Sequence, residues 1–60
     1  MKNPEKVGDK CRYINPVAGD APLYTVLQIE PTQNWCLIEA QVPMNIKPTE
    51  TANITDLCVC

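Results

Sequence analysis

Six prolines in a chain of sixty residues restrict what this sequence can fold into more than any other feature. Proline has no N–H to donate to a sheet ladder, and inside a helix it breaks the hydrogen-bonding pattern. The prolines therefore divide the chain into short segments. Four proline-free windows of useful length remain, and the pattern of each predicts a strand: residues 5–15, 23–30, 32–42 and 49–60.

The first window contains a Gly-Asp pair at residues 8–9, followed by alternating residue types. Cys11 and Tyr13 share one face of the predicted strand, whereas Lys10 and Arg12 share the other. Alternation of this kind is typical of a half-buried strand. We therefore expect a turn at the Gly-Asp pair and a strand after it.

Turn chemistry and β-forming residues alternate through the middle of the chain. PVAGDAP, residues 16–22, has proline at both ends and a Gly-Asp pair between them, which predicts a loop. LYTVLQIE, residues 23–30, has apolar positions too dense for strict alternation, which predicts a bulged or strongly curved strand. PTQN, residues 31–34, suits the loop of a hairpin.

The stretch WCLIEAQV, residues 35–42, predicts a strand with two distinct faces. Because Glu39 belongs to the same face as Trp35 and Leu37, that face is expected to lie outside or to line a groove. The other set is expected to point into the core, and its members are Cys36, Ile38 and Ala40.

The last third of the chain begins with a long connection or an irregular edge segment, PMNIKPTET at residues 43–51. In the closing stretch ANITDLCVC, Thr55 and Asp56 predict a short turn of helix, with Ile54 and Leu57 anchoring it on either side. No longer helix is expected, because the chain offers no stretch with a sustained helical period.

These strands predict an all-β fold, a small barrel of four to five strongly bent antiparallel strands. No helix is available to cover a flat sheet, so the sheet must curl onto itself to bury its apolar face. The length suits one small domain, which we place at residues 6–60 after a flexible N-terminus at residues 1–5.

The resulting pattern resembles an SH3-like small barrel of the KOW or Tudor-like kind. KVGDKCRYIN resembles the first strand of such domains, LYTVLQIE the second and NWCLIEA the third, while ETANITDLCVC resembles the short helical turn and last strand. The resemblance implies binding without catalysis, through exposed aromatic residues and loop tips. The chain lacks the acidic cluster with paired aromatics of peptide-binding SH3 domains, the basic loop of KOW proteins and enough aromatics for a Tudor cage.

The net charge of −2 is unevenly distributed, with an excess of cations in residues 1–12 and an excess of acids beyond them. A nucleic-acid partner is disfavoured, because past Arg12 the chain offers Lys47 alone for contact with phosphates. The alternative nucleic-acid surface consists of Lys6, Lys10 and Arg12. No apolar run is long enough to span a bilayer or to form a signal peptide, so a cytoplasmic protein without a membrane partner is expected.

Four cysteines leave three interpretations open. They are small apolar core residues in reduced form, halves of disulfides, or a metal site formed by Cys11, Cys36, Cys58 and Cys60. The chain has no histidine to activate a thiol and no carboxylate motif, so we expect no enzyme, no cofactor and no small-molecule substrate.

Trp35 is the strongest indication of a partner, because an exposed tryptophan beside Leu37 is the kind of anchor that protein interfaces use. The alternative is that Trp35 folds over the open end of the barrel and closes a thin core. The predicted function is a protein-binding module or homodimer, such as a small bacterial or phage accessory protein that docks on a larger complex. The predicted surface comprises Trp35, Leu37, Tyr24, Met44 and Ile46.

Overall fold

A computed structural model describes residues 2–15 and 22–59 of the chain. These residues form five antiparallel strands and two short 3-10 turns, without an α-helix. The predicted all-β class is confirmed, while most of the loop predicted at residues 16–22 lies outside the described residues. The strands are β1 (Lys10–Tyr13), β2 (Tyr24–Glu30), β3 (Trp35–Ala40), β4 (Thr49–Asn53) and β5 (Leu57–Val59).

The strands form one sheet in the order β4-β3-β2-β1-β5. No ladder joins β4 to β5 within residues 2–15 and 22–59, so the sheet is not closed into a barrel and these two strands are its edges. The sheet is nevertheless curled. Tyr13 Oη on β1 donates a 2.6 Å hydrogen bond to Glu50 Oε2 on β4, although three inter-strand steps would separate these strands by roughly 14 Å in a flat sheet.

The inner face of the curled sheet holds the core. Cys11, Val26, Cys36, Ile38 and Leu57 are fully buried. The predicted inward set on β3 is therefore confirmed, since Ala40 is also buried and the intervening residues are only half-buried. Because side chains alternate strictly along β3, every second one is buried. A short strand contributes in this way to a core that no helix covers.

The turn before β1 is a type II turn that requires glycine. Asp9 N–H donates to Lys6 O at 3.3 Å, and Gly8 has a φ of 95°, the left-handed value that such a turn needs at its third residue. The Asp9 carboxylate accepts hydrogen bonds from the backbone N–H groups of Glu5 (2.9 Å) and Lys6 (3.2 Å). These bonds to backbone N–H groups, first that of Glu5, hold the pKa of Asp9 below its ordinary value.

The β2–β3 hairpin contains the irregularity that the sequence predicts. The register shifts between Val26 and Gln28, which leaves Leu27 as the extra residue of a bulge. The hairpin is closed by a 3-10 turn at Pro31–Gln33, after which Asn34 adopts a left-handed φ of 58°. Asparagine tolerates this conformation better than most residues, so the predicted four-residue link forms a tight reversal.

A second 3-10 turn, η2 (Ile54–Asp56), connects β4 to β5, as the sequence predicts. Ile54, the first residue of this turn, and Leu57, which follows it, are both buried. Ile14 N–H donates to Asp56 O at 3.0 Å, which attaches the turn to the end of β1. Because of this attachment, η2 lies beside the aromatic ring of Tyr13 at the open side of the sheet.

The N-terminal residues cover the β5 edge. Val59 N–H donates to Lys2 O at 2.7 Å, and the Asn3 side-chain amide donates to Ile54 O at 3.2 Å and Leu57 O at 2.8 Å. Pro4 is buried next to this segment. Residues 2–4 therefore pack against β5 where the sequence predicts a flexible terminus, because an unpaired strand edge gives the segment backbone groups to bind.

Candidate binding groove beside Trp35

Trp35 begins β3 and lies on the outer face of the sheet, where it is half-buried. Its indole N–H donates to Gln33 Oε1 at 3.0 Å, so the adjacent hairpin fixes the ring's polar atom. Its cross-strand neighbours are Glu30 on β2 and Asn53 on β4. The position leaves part of the indole ring accessible from the β4 side of the sheet.

Two adjoining grooves flank η2, one between η2 and the β4 edge and the other between η2 and the end of β1. The first, of about 290 Å³, is lined by Tyr13, Trp35, Thr51, Ala52, Asn53 and Asp56. The second, of about 270 Å³, is lined by Tyr13, Ile14, Asn15, Thr55 and Asp56. Tyr13 and Asp56 line both grooves, so the two grooves adjoin at an aromatic residue and an acidic residue; together they are called the depression.

Tyr13 is held in this position by contacts on the inner face. Its ring packs edge-to-face on Tyr24, with centroids 5.6 Å apart at 85°, and its hydroxyl donates to Glu50. Burial, followed by the Glu50 hydrogen bond and charge, raises the pKa of Tyr13 above its ordinary value, and burial with the same carboxylate raises the pKa of Tyr24. Tyr13 therefore stays a hydrogen-bond donor throughout the physiological range.

The β4 edge contributes backbone groups to this depression. Ala40 N–H donates to Pro48 O at 2.9 Å, and Ile54 N–H donates to Asn34 O at 3.2 Å, so residues 48 and 54 face β3. Backbone groups alternate in direction along an antiparallel strand. The N–H and C=O groups of Thr49 and Thr51, with the N–H of Asn53, consequently point away from β3 toward the open edge.

The predicted surface is not brought together as one patch. Leu37 is half-buried on the outer face, in register with Gln28 and Thr51. Met44 and Ile46 are 58% and 86% exposed, but they lie on the connection that leaves β3 at its far end from Trp35.

Tyr24 is absent from the exposed surface to which the sequence interpretation assigned it. Its side chain is buried on the inner face, in register with Ala40. The dense apolar pattern of β2 obscured which of its residues point inward, because the bulge at Leu27 changes the alternation.

The cations of the alternative nucleic-acid surface lie along the first strand and the turn before it. Lys10 and Arg12 are exposed on the outer face of β1, as the alternation predicts, and Lys6 is exposed in the preceding turn. Lys10 Nζ donates to Thr25 Oγ1 at 3.0 Å. These side chains lie outside both grooves.

The cysteines occupy different parts of the fold. Cys11 and Cys36 are buried on the inner face, where burial raises the pKa of the Cys36 thiol. They are separated by β2, roughly 10 Å across the sheet, which is beyond the reach of a disulfide. Cys58 pairs with Arg12 on the outer face, and Cys60 lies outside the described residues.

The fold therefore does not bring together the cysteines of the alternative metal site, because Cys58 lies on the opposite face of the sheet from Cys11 and Cys36. Within the part of the chain that the structure describes, no three cysteine, aspartate or glutamate side chains converge as metal ligands. The packing of Cys11 and Cys36 among Val26, Ile38 and Leu57 matches the interpretation of these thiols as small apolar core residues.

Three features of the depression escaped the sequence interpretation: Tyr13, Asp56 and the open edge of β4. The alternation of β1 assigns Tyr13 to the core, and it does so correctly, but the ring also reaches the rim of the curled sheet. Asp56 is recognisable in the sequence only as a turn residue. No local signal brings η2 close to β4, because that proximity depends on the curl of the whole sheet.

Comparisons of the chain with protein-family models, with curated proteins and with solved structures gave no significant match. Across residues 2–15 and 22–59, the structure also contains no helix long and apolar enough to cross a membrane.

Proposed function

We propose that this chain is a non-enzymatic protein-binding module of the SH3-like small-barrel kind, which holds a partner in the depression beside Trp35. The order of the five antiparallel strands and the 3-10 turn before the last of them support the SH3-like part of the proposal. The 3-10 turn is a feature that the sequence resemblance implies, and together with the strand order it gives a curled sheet with a groove at its open side.

The observation that carries the binding proposal is the meeting of two grooves at Tyr13 and Asp56, with the half-buried indole of Trp35 on one wall. Aromatic residues are enriched at the energetic centres of protein interfaces. Side chains of a protein partner suit such shallow adjoining grooves better than an enclosed substrate does.

The cellular role that we propose is that of a small bacterial or phage accessory protein, which docks on a larger complex through this depression. A domain of this size has little stability to hold a strained catalytic site, whereas a binding groove requires only exposed side chains in fixed positions. The fixed positions are supplied by the Gln33 contact to Trp35 and by the Glu50 contact to Tyr13.

The test is affinity capture from the native host with matched single-residue variants. Trp35→Ala removes the aromatic wall, and Ile46→Ala removes an exposed apolar side chain at the far end of β3 as a control. We expect the Trp35 variant to lose the captured partner and the Ile46 variant to retain it, with both variants folded by circular dichroism. Retention by a folded Trp35→Ala protein contradicts the proposal and leaves Trp35 as a cover for the open end of the core.

A further inference from the structure

The two edges of the sheet differ in what covers them. At the β5 edge, Val59 and Leu57 form hydrogen bonds with the N-terminal segment. At the β4 edge, no further strand pairs with the sheet in the described residues. An uncovered edge is a template for another strand. Adding an extended segment to such an edge is a recurrent mode of peptide recognition.

The open edge and the groove coincide. Thr51 and Asn53 direct backbone groups outward, and both also line the groove with Trp35 and Asp56. A strand that pairs with these backbone groups must therefore run along the groove. Because side chains alternate along a strand, every second side chain of the added segment points toward one wall of the depression.

We infer that the β4 edge binds an extended peptide segment of the partner as an added strand, and that the groove accepts a lysine or arginine side chain of that segment. The inference rests on the proposed function and specifies its partner. The added strand pairs with Thr49, Thr51 and Asn53, and the cation lies between Trp35 and Asp56.

Charge supports a cationic occupant. Asp56 lines both grooves, Glu50 lies behind Tyr13, and none of the described residues that line the grooves is a lysine or arginine. The faces of tryptophan and tyrosine rings attract cations, and the long apolar stem of lysine or arginine packs along such rings. An acidic segment would meet Asp56 and Glu50 with like charge.

The same charges disfavour a second copy of this chain as the occupant. The β4 strand of another copy offers Glu50 within the strand, and its nearest cation, Lys47, lies beyond Pro48. The strand TETAN is also polar except for Ala52, which packs against the core, so its pairing with itself would bury little apolar surface.

The primary test distinguishes two contributions to binding. One is the backbone hydrogen bonding of the added strand, and the other is the contact made by its cationic side chain. Thr51→Pro removes an N–H that points outward while leaving the β3 ladder intact, since proline is tolerated on an edge strand in that orientation. Thr51→Val is the matched control, because it keeps the N–H and the β-branched shape. Both variants are expected to fold, as checked by amide NMR spectra.

The probes are capped heptapeptides with an alternating Thr/Val frame, each carrying one Arg, Lys, Gln or Glu at a central position. We expect Arg and Lys peptides to shift the amide signals of Thr49, Thr51 and Asn53 and the indole signal of Trp35. Compared with the Arg and Lys peptides, the Gln peptide should bind at least fivefold more weakly, and the Glu peptide more weakly still. The Arg peptide should bind Thr51→Pro at least tenfold more weakly than it binds Thr51→Val.

Several outcomes overturn the inference. They are no binding of any Arg or Lys peptide at millimolar concentration, equal affinity of the Thr51→Pro and Thr51→Val proteins, and peptide shifts confined to Met44 and Ile46. Concentration-dependent self-association that shifts the β4 signals without peptide would identify a second copy as the occupant, and would also overturn it. If the peptides fail but Trp35→Ala still loses the captured partner, the proposed function stands without strand addition.

Discussion

The β5 edge is covered by the chain itself, whereas the β4 edge is exposed beside a groove. At β5, the backbone of Lys2 and the side chain of Asn3 bind the outward groups of Val59 and Leu57. At β4, the corresponding groups of Thr49 and Thr51 meet no further strand within residues 2–15 and 22–59, and Thr51 lines a groove with Trp35. The β5 edge is covered by hydrogen bonds within the chain, and this difference is the basis for proposing the β4 edge as the one that takes an added strand.

This asymmetry follows from how the two edges are built. β5 consists of the buried Leu57 and the half-buried Cys58 and Val59, and its edge needs protection because an exposed apolar edge strand promotes aggregation. β4 contains no fully buried side chain, and its threonines and Glu50 keep an uncovered edge compatible with water. A polar edge of this kind can stay open until a partner supplies the missing strand.

The largest expected effect compares truncations at the two edges. Leu57→Ala should destabilise the domain by about 2–5 kcal/mol, because Leu57 is fully buried and its loss leaves a cavity. Thr51→Ala should change stability by less than about 0.5 kcal/mol, as is usual for an exposed surface position. Denaturant unfolding measures both, and equal losses at the two positions would remove the distinction between the edges.

The next effect compares one substitution at two asparagines. Asn3→Ala should cost about 1–2 kcal/mol, because it removes hydrogen bonds to Ile54 O and Leu57 O. Asn53→Ala, on the exposed β4 edge, should lower the free energy of unfolding by only a few tenths as much. Denaturant unfolding measures both variants. A neutral Asn3→Ala would mean that the N-terminal segment does not stabilise β5.

A smaller effect concerns the turn that connects the N-terminal segment to β1. Gly8→Ala should destabilise the domain by about 1 kcal/mol, because a φ of 95° is unfavourable for a residue with a Cβ atom. The added Cβ meets no atom within 4 Å, so steric overlap does not contribute. Asparagine tolerates a positive φ better than alanine does. In thermal unfolding, the Gly8→Asn variant should therefore be more stable than the Gly8→Ala variant.

The most modest prediction concerns alkaline pH. The pKa of Tyr13 is raised in the folded protein, so the folded state retains a proton that the unfolded state loses above about pH 10. The contribution of Tyr13 to the stability of the fold should therefore be constant below about pH 10 and should fall as the pH rises further. Tyr13→Phe should show a shallower alkaline decline, and an unchanged slope would contradict the raised pKa of Tyr13 as its cause.

The sequence predicts the interior of this fold well because burial follows local alternation. Cys11 on β1 and Ile38 on β3 are identified as inward by their neighbours alone, and Ile54 and Leu57 by their positions around a turn signal. The bulge at Leu27 is also indicated, since apolar density too high for alternation requires an irregularity.

The proposed binding surface is predicted less well because it depends on tertiary curvature. Trp35 is identified from its face of β3, but Asp56 joins it only because the sheet curls. Met44 is exposed as expected, yet the connection that carries it leaves from the opposite end of β3. The packing of Asn3 on β5 is likewise a long-range contact, with no signal in the local sequence.

Amide hydrogen exchange of the unbound protein tests the contrast between the edges most directly. The Val59 amide, bonded to Lys2 O, and the Glu50 and Ala52 amides, directed toward β3, should be protected, whereas the Thr49 and Thr51 amides should exchange rapidly. Protection of Thr51 equal to that of Ala52, or exchange of Val59 as fast as that of Thr51, would contradict the account.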